Sequence, residues 1–75
     1  MFARLPGVRA KDLIRALEKA GFETMRQKGS HVTLHSFDAD KTVVVPMHSG
    51  EFPRWLLKKI IKDAGLSEDE LRSYL

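Results

Sequence analysis

One histidine in this sequence has neighbours that suit chemistry on a phosphate. His31 directly follows the run Arg26-Gln27-Lys28-Gly29-Ser30, which holds two cations, a flexible glycine and a hydroxyl. An imidazole titrates close to neutral pH, and it can therefore accept or donate a proton. Cleavage of RNA needs such proton transfers together with positive charge on the phosphate. His31 is therefore the candidate catalytic residue, and Arg26, Lys28, Gly29 and Ser30 are candidate RNA-binding residues.

Other kinds of site find less support in the sequence. The chain has no cysteine, which excludes thiol nucleophiles and disulfides. His31 and His35 lie four residues apart, which on a strand separates them by about 13 Å, at roughly 3.3 Å per residue. That separation is too large for one zinc ion, whose bonds to nitrogen are about 2.0–2.1 Å long. We therefore expect no metal and no other cofactor. The spacing alone also fits an exposed histidine with no catalytic role.

Length and charge define the class of protein. Seventy-five residues, of which 43% are hydrophobic and 31% charged, predict one globular domain over residues 1–75. Residues 1–62 carry 12 Lys or Arg and 6 Asp or Glu, whereas residues 63–75 carry one basic and four acidic residues. A basic body suits a polyanion such as RNA, although a solvated lysine-rich surface explains the charge equally well. Lys58, Lys59 and Lys62 are further candidate phosphate contacts.

The sequence also bears on location. No segment approaches the roughly 20 apolar residues of a membrane span. The start, Met1-Phe2-Ala3-Arg4, lacks the apolar stretch of a secretory signal. We therefore expect a cytoplasmic protein with no membrane partner.

Hydrophobic periodicity predicts a helix, three strands, a second helix and a short third helix. In the middle strand Val32 and Leu34 share one face, so His31 and His35 belong to the other. The first strand alternates poorly, which indicates a bulge or a late start. Trp55 fits either the core stripe of the second helix or a partner surface. The predicted elements are helix Ala10–Ala20, strands Phe22–Lys28, His31–Ser36 and Lys41–Val45, a helix from Pro53 to Ala64, and a helix opened by Ser67 and docked by Leu71, Tyr74 and Leu75.

This order predicts an α+β fold of the double-stranded-RNA-binding-domain kind. Both main helices need an apolar surface, and the face formed by Val32, Leu34, Val43 and Val45 provides one. Helices on one side leave the other side of the antiparallel sheet open. His31 is then expected on the open face.

Four motifs in order resemble the HicA toxins, over about residues 5–66: Ala20-Gly21-Phe22-Glu23, Arg26-Gln27-Lys28-Gly29-Ser30-His31, Val45-Pro46-Met47-His48 and Ala64-Gly65-Leu66. The resemblance implies a double-stranded-RNA-binding-like fold and an mRNA interferase of a type II toxin–antitoxin pair. It also implies that the essential histidine of the Gly-Ser-His motif is His31. A HicB antitoxin that masks this site is the implied protein partner.

Two parts of the chain depart from the family pattern. Trp55-Leu56-Leu57 replaces the common Gly-Thr-Leu at the start of the second helix, and Arg9 replaces the usual Ser or Thr cap of the first. We expect the first departure to affect substrate contact and the second to affect stability. The sequence thus predicts a metal-independent endoribonuclease that cleaves mRNA with one catalytic histidine. The alternatives are a non-catalytic RNA-binding module and a protein whose open sheet only docks a partner.

Overall fold

The computed structural model describes residues 7–75, and its helices and strands follow the predicted order. The start of the chain, on which the prediction about a secretory signal depends, lies outside the described residues. Between residues 7 and 75 no helix is both long and apolar enough to cross a membrane. The elements are α1 (Ala10–Lys19), β1 (Glu23–Lys28), β2 (His31–Ser36), β3 (Lys41–Pro46), α2 (Arg54–Ala64) and α3 (Glu68–Tyr74).

The three strands form one antiparallel sheet in the order β1-β2-β3. Val32 and Leu34 of β2 lie opposite Val45 and Val43 of β3, and all four side chains are buried. Residues opposite each other in an antiparallel pair project from the same face of the sheet. The predicted core face is therefore confirmed, and the predicted α+β fold with it.

Strand β1 contains both irregularities that its pattern suggested. It begins at Glu23 instead of Phe22, because the Phe22 amide donates to the Leu17 carbonyl at 2.9 Å and closes the end of α1. The pairing with β2 shifts between Thr24 and Arg26, which leaves Met25 as the extra residue of a bulge, 51% exposed. All of β1 is exposed, so it contributes little to the core.

Helix α1 starts without a side-chain cap. Arg9 occupies the cap position, and an arginine side chain has no acceptor for the free amides of the first turn. The carboxylate of Asp12 reaches back to the Arg9 amide at 3.4 Å, which satisfies only one donor. The helix is held mainly by burial of Ala10, Leu13, Ala16 and Leu17.

Helix α2 packs on β3 and runs antiparallel to it. The C-terminal end of α2 is near the start of β3, since a Cβ on Gly65 would lie 3.6 Å from the Lys41 side chain. The first turn of α2 therefore lies towards the Pro46 end of β3.

The buried stripe of α2 is narrower than expected. Trp55 is 68% exposed and does not join the core, which is formed here by Leu57, Ile60, Ile61 and Ala64.

Helix α3 carries the predicted capping box. The Ser67 hydroxyl accepts from the Glu70 amide, and the Glu70 carboxylate accepts from the Ser67 amide, both at 3.0 Å. Leu71 is fully buried and Tyr74 packs against the core, as expected. Leu75 is exposed, so its predicted docking is wrong, because the helix ends at Tyr74 and leaves the last residue beyond the core.

We expect Ser67→Ala to lower the free energy of unfolding by about 0.5–2 kcal/mol, because it removes the cap acceptor. Ser73→Ala is the matched control in the same helix. The Ser73 hydroxyl only donates to a carbonyl one turn earlier, and its loss should change stability by less than about 0.5 kcal/mol. Urea unfolding measures both changes. Equal losses in the two variants would show that the cap does not hold α3.

Candidate functional site

His31 opens strand β2 and lies on the open face of the sheet, which no helix within residues 7–75 covers. Its neighbour Val32 is buried on the core face, and alternation along the strand sends His31 to the other face. The ring is exposed and forms no side-chain hydrogen bond or ion pair within residues 7–75. Its two nitrogens are therefore open to a ligand.

Two cations share the open face with His31. The register places Lys28 directly opposite His31, and Arg26 opposite Thr33, the next open-face residue of β2. Directly opposite residues have Cβ atoms about 4.5–5.5 Å apart. The structure therefore brings together Arg26, Lys28 and His31, three of the predicted site residues.

The Gly29-Ser30 turn sets this register. Gly29 has φ +59°, and a glycine with positive φ at the first central position is the pattern of a type II′ hairpin turn. A two-residue loop pairs Lys28 with His31 and fixes the register of β1 and β2 from the turn inwards. The turn is also supported from outside, because the Met47 amide donates to the Ser30 carbonyl at 2.6 Å. Gly29 and Ser30 thus support this register through their backbone.

His35 lies towards the other end of β2 and is engaged. Its Nδ1 is 2.8 Å from the Thr42 hydroxyl, and its Nε2 is 3.8 Å from the Asp40 carboxylate. The ring of Phe37 meets it edge-on, with 4.5 Å between centroids. These contacts hold His35 as part of the structure.

His48 is a residue whose position the sequence did not reveal. The loop that carries it follows β3, whose last residue, Pro46, pairs with His31. The exposed imidazole stacks on Phe52, with ring centroids 5.8 Å apart and planes 23° apart. The Val45-Pro46-Met47-His48 motif was the available signal, but the sequence does not show where the loop goes after Pro46.

The predicted lysines of α2 belong to a different layer. Lys58, Lys59 and Lys62 are exposed on the helix that covers the core face of the sheet. The ammonium of Lys59 lies 2.9 Å from the Asp63 carboxylate. The structure therefore does not gather these three lysines around His31.

Charge is unevenly distributed along the open face. Arg26 and Lys28 lie towards the turn, whereas Glu23 pairs with His35 at the far end, close to Asp40. A phosphate is therefore attracted towards the His31 end. This end combines an accessible imidazole with two cations, which is suited to proton transfer at a phosphodiester.

The sequence comparisons agree with this geometry. Residues 10–66 of the 75 match the family described as HicA toxin of bacterial toxin-antitoxin. A comparison with curated proteins gives no match. The matched range begins with α1, ends just beyond α2 and includes the whole sheet with Arg26, Lys28 and His31. The chain therefore belongs to the HicA toxins, the toxin components of bacterial toxin–antitoxin pairs.

Proposed function

We propose that this toxin is a metal-independent endoribonuclease that cleaves mRNA, with His31 as its catalytic residue. The observation that carries the proposal is the exposed imidazole of His31 on the open face, with Lys28 directly across from it. Family membership supports a toxic activity, and the resemblance of the Gly-Ser-His motif supports RNA as the target. An mRNA substrate implies action in the cytoplasm.

The proposed chemistry needs only side chains. Arg26 and Lys28 would hold the phosphate and stabilise the negative charge that grows on it during cleavage. His31 would transfer a proton to or from one of the reacting oxygens. Gly29 and Ser30 would hold the strand ends in place. Imidazole and cations together can therefore support RNA cleavage without a metal ion.

The same face suits the antitoxin that a toxin of this family requires. Val44 is 47% exposed and lies on the open face, opposite Thr33. The face around it is covered by no helix within residues 7–75 and is therefore accessible to a partner protein. We infer that a HicB-type antitoxin covers this face and blocks access to His31.

A non-catalytic RNA-binding module is the second candidate, because an open face with two cations would also retain RNA. Incubation of the purified protein with mRNA in EDTA separates the two functions. An endoribonuclease of the proposed kind cleaves in EDTA, and His31→Ala stops cleavage while RNA is still retained on a gel. Retention without cleavage by the unaltered protein would favour the binding module. Cleavage that EDTA abolishes would contradict the metal-independent mechanism.

We expect the combined variant Arg26→Gln, Lys28→Gln to bind RNA with a weaker dependence on salt. For single strands the slope of log K against log salt falls by about 0.7 for each phosphate that is no longer neutralised, hence by about 1.4 for two. Lys59→Gln is the control, because Lys59 lies on α2, away from His31, and its ammonium is 2.9 Å from the Asp63 carboxylate. Filter binding across a salt series measures the slopes.

A slope that stays unchanged in the double variant would show that these cations do not hold phosphate.

Lys58 and Lys62 remain proposed contacts for an RNA long enough to reach the helical layer. Replacing both with glutamine should then lower the slope for long RNA and leave the slope for a short oligonucleotide unchanged.

A further inference from the structure

We propose that His48 is the second proton-transfer group of this site and works with His31 on one phosphodiester. The proposal rests on the proposed ribonuclease function and extends it. Breaking an RNA chain by attack of the 2′-hydroxyl requires two proton transfers, one at each reacting oxygen. His31 alone can perform one of them at a time.

The backbone brings His48 to the His31 end of the sheet. His31 pairs with Pro46, and the Met47 amide donates to the carbonyl of Ser30, the residue before His31. The chain then turns sharply, since the His48 amide donates to the Pro46 carbonyl at 2.8 Å. A turn here keeps His48 close to the strand end, instead of carrying it away by two extended residues. The side chains of His31 and His48 can therefore approach one phosphate.

The ring of His48 is both supported and accessible. Phe52 is buried, and the imidazole lies nearly parallel to its ring. Stacking fixes one face of the imidazole and leaves its nitrogens at the edge, with no side-chain hydrogen bond within residues 7–75. A held ring with free nitrogens has the arrangement that a proton-transfer group needs.

Cations continue beyond His48. The loop at 47–50 and the start of α1 line a groove of about 420 Å³. The cap residue Arg9 contributes to this groove, and α1 contributes Lys11, Arg15 and the single carboxylate of Asp12. Arg26 and Lys28 lie on the other side of the His31 position. An RNA strand that passes His31 would therefore meet positive charge before and after the reacting phosphate.

The two imidazoles would divide the reaction between them. One accepts the proton of the 2′-hydroxyl while the 2′-oxygen forms a bond to phosphorus. The bond from phosphorus to the 5′-oxygen breaks, and the other ring, present as imidazolium, donates its proton to that oxygen. The products are a 2′,3′-cyclic phosphate and a 5′-hydroxyl, and the protons balance because one ring gains what the other loses.

His35, the third histidine, does not offer this arrangement. It lies at the acidic end of the open face, and Thr42 and Asp40 occupy the surroundings of its nitrogens. It therefore provides a matched control in the test, since His35→Ala removes an imidazole from the same face without touching the proposed pair.

The test measures cleavage of two RNA substrates by His31→Ala, His48→Ala, His48→Phe and His35→Ala. The second substrate carries sulfur in place of the leaving 5′-oxygen, and a thiolate leaves without being protonated. On ordinary RNA we expect both His48 variants and His31→Ala to lose about 100-fold or more, the usual contribution of a proton-transfer group. On the sulfur substrate the variant that lacks the acid should cleave at the unaltered rate, because the leaving thiolate needs no proton. The variant that lacks the base should remain slow.

His48→Phe keeps an aromatic ring against Phe52, so it separates loss of the nitrogens from loss of packing, and thermal unfolding checks that it is folded. Cleavage of ordinary RNA by this variant at the unaltered rate would overturn the proposal. The proposal would also be overturned if the sulfur substrate restored cleavage in the variants at both positions, 31 and 48, or in the variants at neither. The ribonuclease function itself fails only if the unaltered protein does not cleave, whereas normal cleavage by His31→Ala would contradict only the assignment of His31 as its catalytic residue.

Discussion

Replacing His31 with glutamine is expected to lower the rate of RNA cleavage about 100- to 10,000-fold, the range that a general acid or base contributes. Glutamine keeps a polar side chain but cannot exchange a proton near neutral pH. The folded state should not be weakened, because the His31 side chain is exposed and has no hydrogen bond or ion pair within residues 7–75. Single-turnover cleavage of a defined mRNA and thermal unfolding measure the two quantities.

His35→Gln is the matched control on the same strand, and it should show the opposite behaviour. His35 is half-buried and its Nδ1 is 2.8 Å from the Thr42 hydroxyl, so its replacement disturbs the fold. We expect a lower melting temperature and a cleavage rate that stays within about twofold once the protein is folded. Equal losses of cleavage in the two variants would contradict the assignment of His31 as the catalytic residue.

The side of the sheet to which His31 belongs could be predicted from the sequence. Val32 and Leu34 alternate with polar residues, and a shift of one residue would move both apolar side chains into water. The two-residue turn was also readable, because Gly29 with Ser30 is a typical hairpin connection. Together these two features fix where His31 points and which strand lies beside it.

The exposure of Met25 depends on a feature that spacing alone does not give. Counting inwards from the turn pairs Arg26 with Thr33 on the open face, but a regular strand would then continue with Met25 opposite Leu34 on the core face. The bulge instead pairs Thr24 with Leu34 and leaves Met25 exposed. The poor alternation of the first strand indicated an irregularity without locating it.

The contribution of the loop after β3 to the candidate site was not predictable from local sequence. The position of His48 depends on the long-range hydrogen bond from Met47 to Ser30 and on the stack against Phe52. Periodicity describes helices and strands, and it does not describe the path of a connection. The exposure of Trp55 could not be predicted for a related reason, because the angle at which α2 approaches the sheet decides which residues of its first turn are covered.

The largest effect on stability is expected from Leu34→Ala. Leu34 is 0% exposed, lies in the central strand and faces both the helices and its buried neighbours on the sheet. Leu→Ala in a core lowers the free energy of unfolding by about 2–5 kcal/mol, because transfer free energy is lost and a cavity remains. A domain of this size has only a few kcal/mol of stability, about 3–5 from a single small core. We therefore expect a largely unfolded protein at 37 °C in the absence of a partner, as measured by circular dichroism and urea unfolding.

A pair of adjacent valines provides the control for this expectation. Val45 is 0% exposed on the core face, whereas Val44 of the same strand is 47% exposed on the open face. Val45→Ala should lower the free energy of unfolding by about 1.5–3 kcal/mol, since it removes two methyl groups from a packed site, and Val44→Ala by less than about 0.5 kcal/mol. Comparable losses at the two positions would mean that both faces of the sheet are covered in the folded protein. His31 would then be enclosed on the covered face, and RNA could reach it only after that cover moved.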